Sequence, residues 1–428
     1  MEKMMFMCVQ PCTKYYAWQI EVMLTNFKQI GISDNFQVQC LFAYNSKREA
    51  DWQQKVNLIK TVEEKMKGVA EFFYYEDTRV YPFSYTSSIR PNVLKQHFRA
   101  YEKDLLNRVI FYHDCDIVFT KYPDFLSRIN VDDNTWYVSD TKSYIGYEYI
   151  VSKGQDVLDK MCEIVGINQN LVKEKQLESG GAQYVMKGVD WRFFEKMEKD
   201  SERLFKDITE LNRVKKEADP SHHEIQIWCA DMWAILWQAW MRGYTTRIIK
   251  EMEFCWATDG ANRWDEVYIF HNAGVTKESS GRLFFKGDFS EKYPYLESGE
   301  TYDKTTASYK YFSIIQEIGK SSCLYTEQAA NEQIIPTEPV VIQPQRVTIT
   351  SPVVTPESVD EDFLMLDVVK RAHERFSICK GCVDPNNGAP NLVTTANGKK
   401  LCRLCGCQTE KKIVAPEIDG CPLKKWIN

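Results

Sequence analysis

Several absences narrow what this chain can be. No N-terminal leader is expected: Met4, Met5, Phe6 and Met7 form only a short apolar run before Gln10 and Pro11, which reads as a first strand. It has no persuasive membrane span, since the best candidate, 225–241, is short and carries Gln226, Asp231 and Gln238. It has no positive excess. Its 54 Lys and Arg against 60 Asp and Glu leave a formal charge of −6, which argues against holding nucleic acid through the overall field. No internal repeat recurs. Of the 14 cysteines, the eight from Cys8 to Cys323 show no framework spacing, so they read as reduced core residues of a cytoplasmic protein.

What remains is an ordinary globular composition, 44% hydrophobic and 27% charged, with a high aromatic share of 13%. At 428 residues the chain can hold one large enzyme domain plus something smaller. Strand-like runs over 4–9, 36–44, 70–75, 109–112 and 135–139 alternate with helical patterns over 17–30, 51–67 and 93–106. That order predicts an α/β fold, a mostly parallel sheet covered by helices on both faces. Ligands of such sheets sit beyond the carboxyl ends of the strands. The region 157–247 is mainly helical, and the apolar helix 225–241 must be buried in protein. Further strands are expected near 246–249 and 267–270.

The run from Val109 to His113 feeds into Asp114, Cys115 and Asp116. Residues two apart on an extended chain point the same way, so both carboxylates can face one hard cation such as Mn²⁺ or Mg²⁺. Either acid alone would equally end a strand and start a turn. Three later elements extend the set. Glu178, Ser179, Gly180, Gly181, Ala182 and Gln183 are either a turn or a backbone that approaches a ligand closely. Asp231, in a helix this apolar, either caps the helix start or serves a polar site. His271, after the last expected strand, can complete a cation site, with Gly274 behind it and Lys277 or Lys286 placed to neutralise a leaving diphosphate. Upstream, Arg90 and Lys95 are phosphate-binding candidates, Arg90 by its fork geometry, or belong to an exposed loop opening the Pro91 helix.

The order of these elements is an Asp-x-Asp, a Ser-Gly, a helix-borne Asp and then His-x-x-Gly-x-x-Lys. It resembles GT-A glycosyltransferases of the glycogenin and galactinol-synthase type. The stretches Trp228 to Trp237, Glu253 to Asp259 and Phe270 to Val275 are similar to peptidyl-serine galactosyltransferases and hydroxyproline arabinosyltransferases. The resemblance implies a GT-A fold and a hexosyl- or pentosyltransferase drawing on a nucleotide-sugar donor, UDP-linked and retaining. It implies Asp114, Asp116 and His271 as Mn²⁺ ligands and Lys277 on phosphate. Glu278 stands where those families continue with Pro-Trp, which keeps Lys286 in play. Gln183 or Asp231 then lies near the reacting sugar, with Asp231 on a sugar hydroxyl or orienting the acceptor, a hydroxyl on protein or glycan. The relatives are secretory enzymes, so their acceptor does not carry over. The opposing reading is a non-catalytic scaffold on the same fold.

Beyond the catalytic unit, placed at 1–322, the prolines at 336, 339, 344, 352 and 356 suggest a semi-stiff linker over 323–362, or an edge strand or two. A short helix, 363–375, leads into a cysteine-rich module over 363–428. Cys379 and Cys382 are spaced from Cys402 and Cys405 as structural Zn²⁺ ligands are, with Cys407 and Cys421 left over. Metal would supply the stability of so small a unit.

Overall fold

The computed structural model describes residues 3–132 and 134–325 and, beyond them, two backbone strands, Leu392–Thr394 and Lys400–Cys402. By its contacts the chain falls into two units, Met1–Val341 and Ile342–Asn428. In the second, the two strands pair antiparallel. The expected linker beyond Tyr325, the helix 363–375 and the side chains of Cys379, Cys382, Cys402 and Cys405 lie outside the described residues.

The first unit opens with strand–helix alternation: β1 (Met5–Pro11), α1 (Lys14–Gln29), β2 (Gln37–Tyr44), α2 (Trp52–Lys65), β3 (Glu71–Glu76), α3 (Ile89–Ala100) and β4 (Ile110–Tyr112). After these come β5 (Ile117–Phe119), β6 (Thr135–Asp140), α4 (Gln155–Val165), β7 (Gly180–Met186), α5 (Trp191–Ala218), α6 (Ala230–Met241) and β8 (Thr245–Ile248). The unit ends with β9 (Phe254–Trp256), β10 (Ile269–His271) and α7 (Ala307–Gly319). The main sheet has the order β3-β2-β1-β4-β7-β6-β8, and β7 alone runs against the rest. This is the mostly parallel, helix-flanked α/β sheet that the alternation predicts.

β1 is buried on both faces, as a central parallel strand must be. Met5, Met7 and Val9 join the core under α3, α5 and α6. Phe6, on the other face, meets Phe27 of α1 at 5.5 Å and Phe111 of β4 at 4.8 Å between ring centres. α1 starts directly after β1 because the Thr13 hydroxyl accepts from the Tyr16 N–H. That puts the first turn of α1 at the carboxyl edge of the sheet. Deeper in α1, the buried Glu21 takes bonds from Lys65 (2.7 Å), Tyr295 (2.5 Å), the Ser322 hydroxyl (2.6 Å) and the Cys323 N–H (2.8 Å). These ties fasten the end of the described unit to its first helix.

Two expected helices begin elsewhere. The 93–106 pattern starts at Ile89, with Pro91 tolerated in the first turn, and breaks at Tyr101. The 225–241 pattern becomes a single 3₁₀ turn, Ile227–Cys229, before α6. All eight scattered cysteines are free thiols, and seven are buried. No helix among the described residues is long and apolar enough to cross a membrane.

Candidate active site

A second, three-stranded sheet, β5-β10-β9, stands beside the carboxyl edge of the first. β10 runs antiparallel to β5 with His271 opposite Ile117, and the Asn272 N–H donates to the Asp116 carbonyl at 2.9 Å. This pairing brings His271 to the two acids that follow β4. Its Nε2 lies 3.3 Å from an Asp116 carboxylate oxygen and 3.6 Å from one of Asp114. One ligand atom from each of the three residues falls within 4.8 Å of the others. Two carboxylates and one imidazole form a donor set for an oxygen-preferring divalent ion such as Mn²⁺ or Mg²⁺.

Behind His271 stands Gln183, fully buried. Its amide nitrogen is 3.3 Å from His271 Nδ1, and its amide oxygen accepts from the Ser139 hydroxyl at 2.5 Å. Exchanging amide O and N leaves the shape unchanged, so the Gln183 oxygen can accept a hydrogen bond from His271 Nδ1–H while its N–H donates to the Ser139 hydroxyl, which leaves Nε2 as the ligand atom. A bulge aims it. Between Val138 and Ser139 the register with β7 shifts, leaving Ala182 and Gln183 without partners, and Ala182 takes a left-handed φ of 66°. The left-handed position therefore falls one residue after the glycine pair. The glycines serve close approach instead. A Cβ on Gly180 would come 2.3 Å from Val138 Cγ2, and one on Gly181 would come 2.5 Å from the Tyr184 hydroxyl.

Two cations sit against the acids. Arg90 bonds Asp114 through Nη1 and reaches Asp231 through Nη2 at 2.7 Å. Lys286 bonds Asp116. Burial alone would raise the Asp116 carboxyl, but Lys286 and then His271 outweigh it and hold it well below the ordinary range. Lys286 is pushed up, because Asp116 overcomes the opposing effect of burial. At Asp231 burial wins, and its carboxyl is raised despite Arg90 and the Tyr85 hydroxyl. Asp231 sits in the first turn of α6, two positions past the N-cap residue Cys229. Its partners are Arg90 and Tyr85, the latter at 2.6 Å.

These groups line a cavity of about 230 Å³. Asp114, Asp116, His271, Arg90, Asp231 and Lys286 all reach it, whereas Lys277, Lys95, Gly180, Gly181, Gln183 and Gly274 do not. Lys277 is exposed to solvent. Lys95 pairs with Glu198 at 2.6 Å. Gly274 turns the chain at φ 88°, close under Trp256. Sequence reasoning overlooked the aromatic wall: Tyr15 and Tyr16 on α1, Tyr112 and Tyr184 on the sheet, and Tyr144, Trp228 and Trp256 around it. The expectation that ligands meet strand ends could have found Tyr15 and Tyr16, which follow β1 by four and five positions.

No protein-family model matches this chain, and no curated protein does. Among solved structures it is similar to the galactosyltransferase LgtC in complex with donor and acceptor sugar analogues, at 12% identity, over 76% of this chain and 99% of that one, with a TM-score of 0.39. It is also similar to the bifunctional glycosyltransferase WbbM, at 9% identity over 73% and 52% of the two chains, TM-score 0.38. A third is the glycosyltransferase GlyE of Streptococcus pneumoniae TIGR4, at 9% over 75% and 63%, TM-score 0.34. Likeness this low assigns no activity, and the site is read from its own side chains.

Proposed function

We propose that this chain is a metal-dependent glycosyltransferase of the GT-A kind, taking its sugar from a nucleotide diphosphate and passing it to a hydroxyl. The observation that carries the reading is the convergence of Asp114, Asp116 and His271 at the carboxyl edge of the sheet, with Lys286 and Arg90 against the acids in one cavity. Transfer from a diphosphate asks for a cation at the leaving group and a fixed frame for two hydroxyl-rich substrates. When bound, Mn²⁺ supplies Lewis-acid neutralisation of the diphosphate.

Asp114, Asp116 and His271 are its ligands in this proposal, and Gln183 is a positioning residue that fixes the His271 ring. Lys286 is the ammonium for the diphosphate, a role its place in the cavity favours over Lys277. Asp231 meets a sugar hydroxyl, held in place by Arg90 and Tyr85. We further propose a UDP-linked donor and retention of configuration, a cytoplasmic location, and a structural Zn²⁺ on Cys379, Cys382, Cys402 and Cys405 in a separate module reached through the 323–362 linker.

Calorimetry of the full chain with Mn²⁺ and a panel of nucleoside diphosphates tests the core of this reading. We expect one diphosphate to bind only with Mn²⁺ present, and the matching radiolabelled nucleotide sugar to be hydrolysed or transferred. A protein that binds none of them with Mn²⁺ is a scaffold and not this enzyme.

A further inference from the structure

Most aromatic residues in the cavity wall are buried or half-buried, but Trp228 is 54% exposed. A lone exposed ring is ordinary, but of the large apolar side chains exposed among the described residues Trp228 lines the cavity and the others do not. It is held there firmly. The Tyr85 hydroxyl lies 2.6 Å from the Trp228 carbonyl and from an Asp231 carboxylate oxygen, sharing its one proton between them, and the indole lies nearly parallel to Tyr144, 6.3 Å between ring centres and 23° between planes. Tyr144 stands edge-on to Trp256 at 5.9 Å, and Trp256 is nearly parallel to His271 at 6.4 Å and 12°. A continuous aromatic wall thus runs from the metal-ligand histidine out to the exposed indole. Asp231, three residues after Trp228, brings a carboxylate to the same side of the helix start.

The two walls of the cavity differ in chemistry. On the β1 side stand Tyr15 and Tyr16, whose hydroxyls feel the charge of Lys286, the ammonium assigned to the diphosphate. On the β7 side, where α6 packs, stand Trp228, Met232 and Ile235, with Asp231 and the Asp231–Arg90 pair as the polar members. Arg90 is already matched to two carboxylates. That side therefore suits an uncharged ligand that is apolar on one face and rich in hydroxyls at its rim. A pyranose ring fits this description: its C–H face lies on an indole while its hydroxyls reach a carboxylate.

We infer that Trp228, backed by Tyr144, is the acceptor platform and that the acceptor is a hexopyranoside, a sugar already in a glycan, and not a bare hydroxyl side chain of a peptide. This rests on the glycosyltransferase reading above.

The test loads the full chain with Mn²⁺ and its nucleoside diphosphate. It then titrates methyl hexopyranosides and, separately, unglycosylated serine- and hydroxyproline-containing peptides, following indole fluorescence and saturation-transfer NMR. We expect at least one hexoside to bind and to quench the indole. Trp228→Ala should weaken that binding at least tenfold, with Trp228→Phe within about threefold of wild type, since a flat ring remains. Both variants should keep the wild-type far-UV spectrum and bind the nucleoside diphosphate within twofold of wild type. The inference is overturned if no hexoside binds the loaded protein while a peptide does. It is equally overturned if Trp228→Ala weakens the nucleoside diphosphate as much as the hexoside, which would make the indole a base platform. If wild type binds no nucleoside diphosphate with Mn²⁺, the enzyme reading itself falls, and that outcome is separate from both.

Discussion

Replacing Lys286 by Met should destabilise the metal-free protein and at the same time tighten its hold on Mn²⁺. The change keeps most of the aliphatic stem and removes the ammonium from Asp116, whose side chain is 6% exposed. Breaking a buried ion pair from one side costs about 3–5 kcal/mol. Lys286 is itself 26% exposed, which favours the lower end, about 3 kcal/mol. In a unit of this size that corresponds to a Tm lower by about 4 °C in EDTA. The ammonium and the cation compete for the same carboxylate. Two unit charges at 4 Å in an effective dielectric near 20 interact by about 4 kcal/mol. Relaxation and solvent leave part of that, and a tenfold tighter Mn²⁺ dissociation constant, about 1.4 kcal/mol, is the expected remainder. Thermal melts in EDTA and in saturating Mn²⁺, with Mn²⁺ calorimetry in the absence of nucleotide, read both effects. Saturating Mn²⁺ should close most of the Tm gap. If the variant binds Mn²⁺ no tighter than wild type, the ammonium and the ion do not share Asp116 and the electrostatic account of the site is wrong.

Four further outcomes are expected from the same geometry. Asp231→Asn should leave the fold intact, because the amide keeps a bond to Tyr85, and should lower transfer about 100-fold, the scale of losing one preorganised polar contact. Because burial raises the Asp231 carboxyl, the folded chain takes up that proton before the unfolded chain does. Wild type should therefore gain stability relative to the Asn variant as pH falls from the raised value toward about 3.9, and a gain in the opposite direction would show the carboxyl is not raised. Gln183→Leu, which strands His271 Nδ1 and the Ser139 hydroxyl, should weaken Mn²⁺ about 10–100-fold by calorimetry, and unchanged affinity would remove its positioning role. Truncation after Tyr325, which spares the Glu21 bonds to Ser322 and Cys323, should leave donor hydrolysis intact and lose one Zn²⁺ by elemental analysis; collapse of the truncated protein would rule out the proposed division.

The strand–helix order of residues 4–112 is written plainly in the local pattern, since apolar runs buried on both faces leave few alternatives. The two acids after β4 and the histidine that ends β10 were equally legible, because strand ends and residue chemistry are local properties. Other features depend on contacts between distant parts of the chain. Asp231 looked unpartnered because Arg90 and Tyr85 lie more than 140 positions upstream. Gly180 and Gly181 looked like turn residues, and only the approach of Val138 and Tyr184 shows that they make room. Lys277 and Lys286 could not be ranked by spacing, because the loop between them carries one into solvent and the other to Asp116. The aromatic wall is assembled from six separate elements, and no short window of sequence contains it.

The small sheet that completes the donor set has a consequence for how the protein comes into being. Both acids belong to the first third of the chain, and β4 can pair with β1 as soon as that stretch is made. His271 reaches them only after β10 has closed a loop of about 150 residues onto β5, a non-local pairing that forms late in folding. Synthesis runs from the N-terminus at about 5–20 residues per second, so for about 8–30 s a growing chain carries the two carboxylates without His271. During that interval Arg90, on the neighbouring α3, can already hold Asp114. A donor set of three is therefore a mark of a finished unit, and a chain that stalls or mispairs before β10 has two of the three ligands.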